Sequence, residues 1–320
     1  MTFSDHFLTA NEYYKGRFGR KVYKLPLAVA ETCPNRDGTL GTGGCIFCSN
    51  GGSGEFAASA EAGAADAILA EKKLISGKLK RDEDPLYIAY FQSFTSTYAR
   101  ADLLEKRFTE AILTEDVAAL SVATRPDSLP DDTVALLERL SRIKPVFVEF
   151  GLQTADDETA SFLNRCGESA LYKEKALELK ARGIEVIMHM IAGLPRGETD
   201  ARGIHLAEDT DCLRRTCELV AASGASGVKI QVLSVLSGTV LGDHYDKGKI
   251  KTLSLEEYGS LLCDIIGYIP EGVVIHRITG DPPKALLKAP LWTLDKKKVL
   301  NCLSRVMDQR GVKQGACLHT

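Results

Sequence analysis

Short apolar runs alternate along this chain with longer stretches in which apolar residues recur every three or four positions. The runs at residues 25–30, 86–91, 117–124, 146–151, 184–191 and 228–233 predict six strands. The stretches at 55–80, 101–113, 130–142, 156–164, 168–182 and 200–223 predict helices between them. Strands that alternate with helices build βαβ units around a parallel sheet. Six units are too few for a closed eight-stranded barrel. From about residue 237 the rhythm breaks into turn signals, a helix at 255–267, an apolar strand at 273–275 and a final helix at 295–310. That pattern divides the chain into an arm (1–24), a βα body (25–236) and a C-terminal extension (237–320) that caps the body's open side.

Polar residues interrupt the apolar strands at matching places. Strands buried on both faces read as continuous apolar runs, yet Glu149 and Gln153 share one face of the fourth strand, and His189, Lys229 and Gln231 break the fifth and sixth. Gln92, Ser93, Thr95 and Arg125 follow the second and third strands. Any one of these reads equally well as a satisfied core polar group. Together they mark a polar cavity at the carboxyl ends of the strands, where ligands of parallel α/β sheets bind. Lys229 and Gln231 are candidates for substrate contact there.

The densest chemical signal precedes the first long helix. Cys33, Cys45 and Cys48 are spaced C-x11-C-x2-C, with Gly38, Gly41, Gly43 and Gly44 in the long gap. Thiolates select zinc or iron–sulfur clusters. A closed zinc site asks for four ligands, and the nearest further pair is Cys317-Leu318-His319 at the far end of the chain. Three thiolates on a 4Fe–4S cluster leave one iron open to a small molecule. A zinc clip and a redox dithiol are the alternatives that the spacing itself leaves.

The stretch Cys33-Pro34-Asn35-Arg36-Asp37-Gly38-Thr39, closed by Gly43-Gly44-Cys45-Ile46-Phe47-Cys48, resembles the cluster loop of the radical S-adenosylmethionine (SAM) superfamily. It resembles in particular a bacterial branch related to the radical SAM part of the elongator catalytic subunit. The usual superfamily spacing is C-x3-C-x2-C, so the eleven-residue gap belongs to that branch. The resemblance implies an α/β fold, a partial (βα)6 TIM-like barrel with a C-terminal α/β extension. It also implies a 4Fe–4S cluster on the three cysteines with Phe47 beside it, SAM on the open iron, and hydrogen abstraction by a 5′-deoxyadenosyl radical. Gly151-Leu152-Gln153, with Asn164-Arg165 beyond, resembles the family's G-x-Q…N-R segment, which places Gln153 near the SAM ribose and Arg165 on the methionine carboxylate. Gln92, Ser93 and Thr95 occupy the place of the family's Gly-Gly-Glu motif, without its glycines or glutamate. Ala123 precedes Thr124-Arg125-Pro126-Asp127 where the elongator relatives carry Glu, and Glu149 is the candidate replacement. Gly193-Leu194-Pro195 resembles the turn beneath adenine, and His189 shares that wall.

Composition narrows the partners. Hydrophobic residues make up 44% and charged ones 26%, with a net charge of −3, which suits a globular protein without a global nucleic-acid signature. No apolar run approaches the ~20 residues of a membrane span, no signal-peptide core is evident, and nine cysteines without a regular framework suit a reducing compartment, the cytoplasm. Two local basic regions stand out. The arm carries Lys15, Arg17, Arg20, Lys21 and Lys24 among Tyr13, Tyr14, Phe18 and Tyr23, and a lysine-rich tail follows Arg277. Interleaved cations and aromatics suit phosphate contact with base stacking; packing of the aromatics on the main body is the alternative. Relatives of this branch act on the wobble uridine, so the resemblance implies a tRNA substrate, for which the arm's own composition offers Arg17, Arg20 and Lys21 as contacts, and an electron donor such as flavodoxin or ferredoxin is expected. An iron–sulfur redox sensor without SAM chemistry and a radical SAM enzyme of small molecules remain the other readings.

Overall fold

A computed structural model describes residues 2–318 except 53, 56, 58–62, 78 and 80–82. Its elements in chain order are α1 (Ala10–Phe18), β1 (Val22–Leu27), α2 (Ala64–Ser76), β2 (Leu86–Phe91), α3 (Ala101–Leu113), β3 (Val117–Thr124), α4 (Asp131–Ser141), β4 (Val146–Gln153), α5 (Asp157–Phe162), α6 (Ser169–Ala181) and β5 (Glu185–Ala192). A hairpin of β6 (Pro195–Thr199) and β7 (His205–Ala207) precedes α7 (Thr210–Ala222), β8 (Gly227–Val232), β9 (Val235–Leu236), α8 (Val240–Asp246), α9 (Leu255–Tyr268), β10 (Val274–Arg277), β11 (Leu287–Ala289) and α10 (Lys296–Arg310). Seven strands form one parallel sheet in the order β1-β2-β3-β4-β5-β8-β10. The sheet curls into a partial barrel: the six expected βα units, lengthened by β10 from the C-terminal extension, which pairs parallel with β8.

Alternation along each strand sorts two layers. Outward side chains such as Phe91, Leu120, Val148, Met188 and Ile230 are buried under the helices in the main core. Inward side chains at the strands' amino ends form a small second core of Ile88, Ala119, Phe147 and Ile187, closed by Tyr14. Tyr14 comes from α1, a helix the apolar pattern does not announce because its cations and aromatics share all faces. Thr9 opens α1 with a capping box, and Gly19 closes it with φ 70°. Tyr14 packs edge-on against Phe147 and His276, with ring centroids 6.0 and 5.6 Å away. The arm is therefore a plug in the bottom of the barrel, and its last residues, 22–24, begin β1. Tyr14→Ala is expected to cost about 3–5 kcal/mol, the range for emptying an aromatic site, measured as a lower urea midpoint with unchanged m value.

One expectation is corrected. The single helix over 200–223 is a hairpin followed by a shorter helix. Asp200 accepts from the backbone N–H groups of Arg202 and Ile204 at 2.8 and 3.1 Å, Gly203 turns at φ 75°, and Asp209 caps α7 through Cys212 N–H. Polar turn chemistry wins over the helical pattern there. The helix at 55–80 is described only from Ala64, part of the remainder lying outside the described residues, as does His319. Among the described residues no helix is long and apolar enough to cross a membrane.

Candidate active site

The barrel encloses a cavity of about 1070 Å³ that runs from the cysteine loop down to Tyr14. Cys33, Cys45 and Cys48 all line it, beside Phe47. The long gap between Cys33 and Cys45 is taken up by a small outward loop. Asp37 and Thr42 bridge antiparallel, and Gly38 turns at φ 99°, so the loop leaves the barrel and returns. Gly44 N–H donates to the carbonyl of Asn35 at 2.9 Å. A side chain at Gly41 would start 2.6 Å from Asn35 Oδ1 and 2.7 Å from Cys166 Sγ, which is why that position is glycine.

The segment Asn164-Arg165-Cys166 clamps this loop. Asn164 Nδ2 donates to the carbonyls of Gly44 and Thr42 at 2.8 and 3.1 Å. Arg125 donates to the carbonyls of Arg165 and Cys166 and pairs with Asp127. Burial opposes its charge, but Asp127 holds the Arg125 guanidinium protonated more firmly than usual. Arg165 donates to Tyr172 Oη at 2.8 Å and to the Gly151 carbonyl, and its second terminal nitrogen lies 3.8 Å from Cys45 Sγ.

The thiols fit a cluster. Thr95 Oγ1 donates to Cys33 Sγ at 3.2 Å, and Asn35 Nδ2 reaches Cys45 Sγ at 3.5 Å; donors aimed at sulfur favour the thiolate form that a metal needs. Burial first, and then the neighbouring Cys45 and Cys33, push the Cys48 thiol up to about 11. A strong positive partner, as a bound metal centre would be, would offset that cost at Cys48. Among the described residues no three His, Cys, Asp or Glu side chains converge on one ion site; a cluster, with one thiolate per iron, asks for no such convergence. Gln153 Oε1 is buried without a hydrogen bond among the described residues, on a backbone at φ 69°, and the side chain lines the cavity. An orphaned buried acceptor beside a cavity is one a small rotation of the side chain could offer to a ligand donor, as the SAM ribose hydroxyls would provide.

Beneath this mouth lies a charged layer. Lys24, Tyr90, Ser121, Glu149, His189 and Lys229 point inward from β1, β2, β3, β4, β5 and β8. Glu149 is wholly buried. It accepts from Ser121 Oγ at 2.6 Å and His189 Nε2 at 2.7 Å, and pairs with Lys24 and Lys229. Burial would raise its pKa, but Lys229, Lys24 and the bond from His189 hold it well below the usual carboxylate range. Burial, reinforced by Lys229, lowers His189 to about 4, so its imidazole is neutral.

The structure thus gathers Phe47, Gln92, Thr95, Glu149, Gln153, Arg165, His189, Lys229 and Gln231 around one cavity with the cysteines. Ser93 is buried outside the lining, beneath Gly54 of the loop. Gly193 turns at φ 83° behind the wall, where a side chain would start 2.8 Å from Leu253. Glu149 sits a layer below the rim with both oxygens engaged, so it does not stand in for the glutamate missing at Ala123. The arm's cations lie at the opposite end of the barrel. Arg17 pairs with Glu185 at the start of β5, Arg20 with Asp84 at 2.8 Å and Lys21 with Glu83 at 2.9 Å, both just before β2. Sequence reasoning missed Tyr90 and Ser121 and took Lys24 for a phosphate contact. Their signal was positional: each stands two residues before a rim position, the inward spacing of a strand.

Comparison with known proteins agrees with this geometry. The Radical_SAM C-terminal domain family matches residues 225–309. YtqA of Bacillus subtilis is 39% identical over 308 residues, covering 96% of this chain and 91% of that protein. A tRNA uridine(34) acetyltransferase of Dehalococcoides mccartyi is 26% identical over 172 residues, 54% of this chain and 35% of that one. Among solved structures, archaeal Elp3 from Methanocaldococcus infernus superposes with a TM-score of 0.62 at 16% identity, over 92% of this chain and 64% of that one.

Proposed function

We propose, from the premise that this chain belongs to the radical SAM superfamily and to the family of YtqA, that it modifies tRNA at the wobble uridine by radical chemistry. The superfamily's cofactors are a 4Fe–4S cluster and SAM. When bound and reduced, they supply a 5′-deoxyadenosyl radical that abstracts hydrogen from an unactivated carbon. The observation that carries the reading is a cavity with three thiols at its mouth and a charged layer beneath them. Cys33, Cys45 and Cys48 would hold the cluster; Arg165 and Gln153 would orient SAM through its carboxylate and ribose. Tyr14, Phe147 and Ile187 pack together at the bottom, and excluding water from the chamber would protect a radical from quenching.

Support for the substrate is size, charge and distant likeness. A volume of about 1070 Å³ holds SAM and one further nucleoside-sized group, but no folded RNA. A tRNA would have to send in one extruded base, and an anticodon loop makes that extrusion cheap. Cations stand at the open side of the barrel: Lys284 follows Pro282 and Pro283, which line the cavity, and Lys296 pairs with the lining residue Asp281 at 3.0 Å. These are better placed for RNA phosphates than Arg17, Arg20 and Lys21. The acetyltransferase relative acts, by its name, on uridine 34 of tRNA.

Two measurements test the reading. Dithionite-reduced protein is expected to cleave SAM to 5′-deoxyadenosine, with Arg165→Ala weakening SAM binding by about 1.5–3 kcal/mol, the scale of a charged hydrogen bond. Nucleoside analysis of tRNA from a deletion strain is expected to show one wobble-uridine derivative replaced by its precursor. An unchanged nucleoside profile beside intact SAM cleavage would move the substrate to a small molecule.

A further inference from the structure

We infer that the charged layer on the cavity floor, centred on Lys229, is a binding site for an anionic group of the substrate, a carboxylate or a phosphate. It deepens the reading above, on which it rests only for taking this cavity as the substrate chamber.

The hydrogen-bond inventory carries it. Glu149 is saturated: Oε1 accepts from Lys24 and Ser121, and Oε2 from His189 and Lys229. The ammonium groups are not. Each carries three N–H donors. Lys229 gives one to Glu149 and one to Tyr90 Oη at 3.2 Å, and Lys24 gives one to Glu149. Both lysines line the cavity, so their spare donors have that space to serve. Charge tells the same story. Two ammonium groups share one carboxylate, and among the described residues Glu149 is the one carboxylate paired with either. The next cation, Arg277 of β10, is paired with Asp281 at 2.8 Å. A buried positive charge without a partner is costly; an arriving anion would remove that cost.

The remaining groups facing Lys229 do not supply the missing charge. His189 of β5 and His276 of β10 are neutral, burial having lowered both. Tyr90 of β2 and Tyr14 of α1 stay protonated, burial having raised both, and Ser121 of β3 carries no charge. Burial, with Lys24 and Arg277 adding, lowers Lys229 to about 7 despite Glu149. At neutral pH the site therefore sits near its own midpoint, and an anion would draw the proton onto the amine. The site also has direction. The anion would be held at the floor, and the rest of the substrate would extend towards the cysteine mouth, where Arg165 stands over Cys45. One cavity would then carry separate anion sites at its two ends, one for cofactor and one for substrate.

The test uses anaerobically reconstituted protein labelled with 13C at the lysine ε carbons, titrated by NMR with acetate, with inorganic phosphate, and with sodium chloride at matched ionic strength. Acetate or phosphate is expected to raise the Lys229 midpoint by about one pH unit, a tenfold preference for the charged form, while chloride does not. Anion affinity should fall as pH rises above that midpoint. Lys229→Met should lose at least roughly tenfold in affinity by that same linkage, whereas Lys229→Arg keeps it. Preference for acetate names a carboxylate; preference for phosphate names a phosphoryl group. No midpoint shift with either anion, equal affinity in Lys229→Met, or displacement of acetate by SAM would each overturn the proposal, the last by assigning the lysines to the cofactor. Should Lys229→Met fail to fold, the wild-type titration and Lys24→Met decide. No tRNA enters the experiment, so its failure and the failure of the wobble-uridine reading remain distinguishable.

Discussion

Alanine at Cys33, Cys45 or Cys48 is expected to abolish the visible absorbance of anaerobically reconstituted protein, which in the wild type should carry about four irons and four sulfides. The discriminating partner of that experiment is Cys166. Its sulfur abuts Gly41 of the same loop, and it is partly exposed, like the three proposed ligands. What holds Cys166 in place, however, is its carbonyl, which accepts from Arg125. Cys166→Ala should therefore keep both the cluster and its iron content. Cys212, Cys217, Cys263 and Cys302 are buried on α7, α9 and α10, and Cys317 N–H donates to the carbonyl of Gly267 on α9. Changing any of these should leave the spectrum intact. Iron lost in Cys166→Ala and retained in Cys33→Ala would overturn the ligand set.

Much of this site was legible because strand alternation and cysteine spacing are local signals. The run Val146–Gln153 shows in its letters that Phe147, Glu149, Gly151 and Gln153 face one way, and the barrel turns that face inward. The arm shows where such reading ends. Its cations and aromatics compose an RNA-binding pattern as readily as a plug. Only tertiary partners distinguish the two: Phe147 and His276 for Tyr14, and Glu185 for Arg17. β10 was read as a strand but not as part of the barrel, since its register against Gly227 and Val228 depends on residues some fifty positions earlier. Long-range pairing leaves no trace in a single local pattern.

The Glu149 layer was half-visible for the same reason, and it gives the largest expected stability effect. Glu149→Gln leaves Lys24 and Lys229 in one buried space without their carboxylate. Breaking a buried pair from one side costs about 3–5 kcal/mol, on the order of 10 °C in Tm for a chain of this size. The pH dependence identifies the cause. The Glu149 carboxyl is held well below its unfolded value, so its contribution is present above about pH 4 and is lost as pH falls through the lower folded value. Lys229 gives a slope of the same sign in a higher range. Its folded pKa, about 7, lies below the ordinary 10.5, so between those values the unfolded chain binds more protons and stability rises with pH. Without Glu149, nothing offsets the burial that lowers Lys229, and its folded value falls further. The variant should then gain stability more steeply than the wild type between about pH 5 and pH 7, where the wild-type Lys229 is still largely charged in the folded state, recovering part of its deficit as pH rises through that range. Glu149→Gln keeps the side-chain volume, so a lost packing contact would lower Tm by the same amount at every pH. Parallel pH profiles for variant and wild type would mean that hydrogen-bond geometry, rather than the carboxylate's charge, holds the layer together.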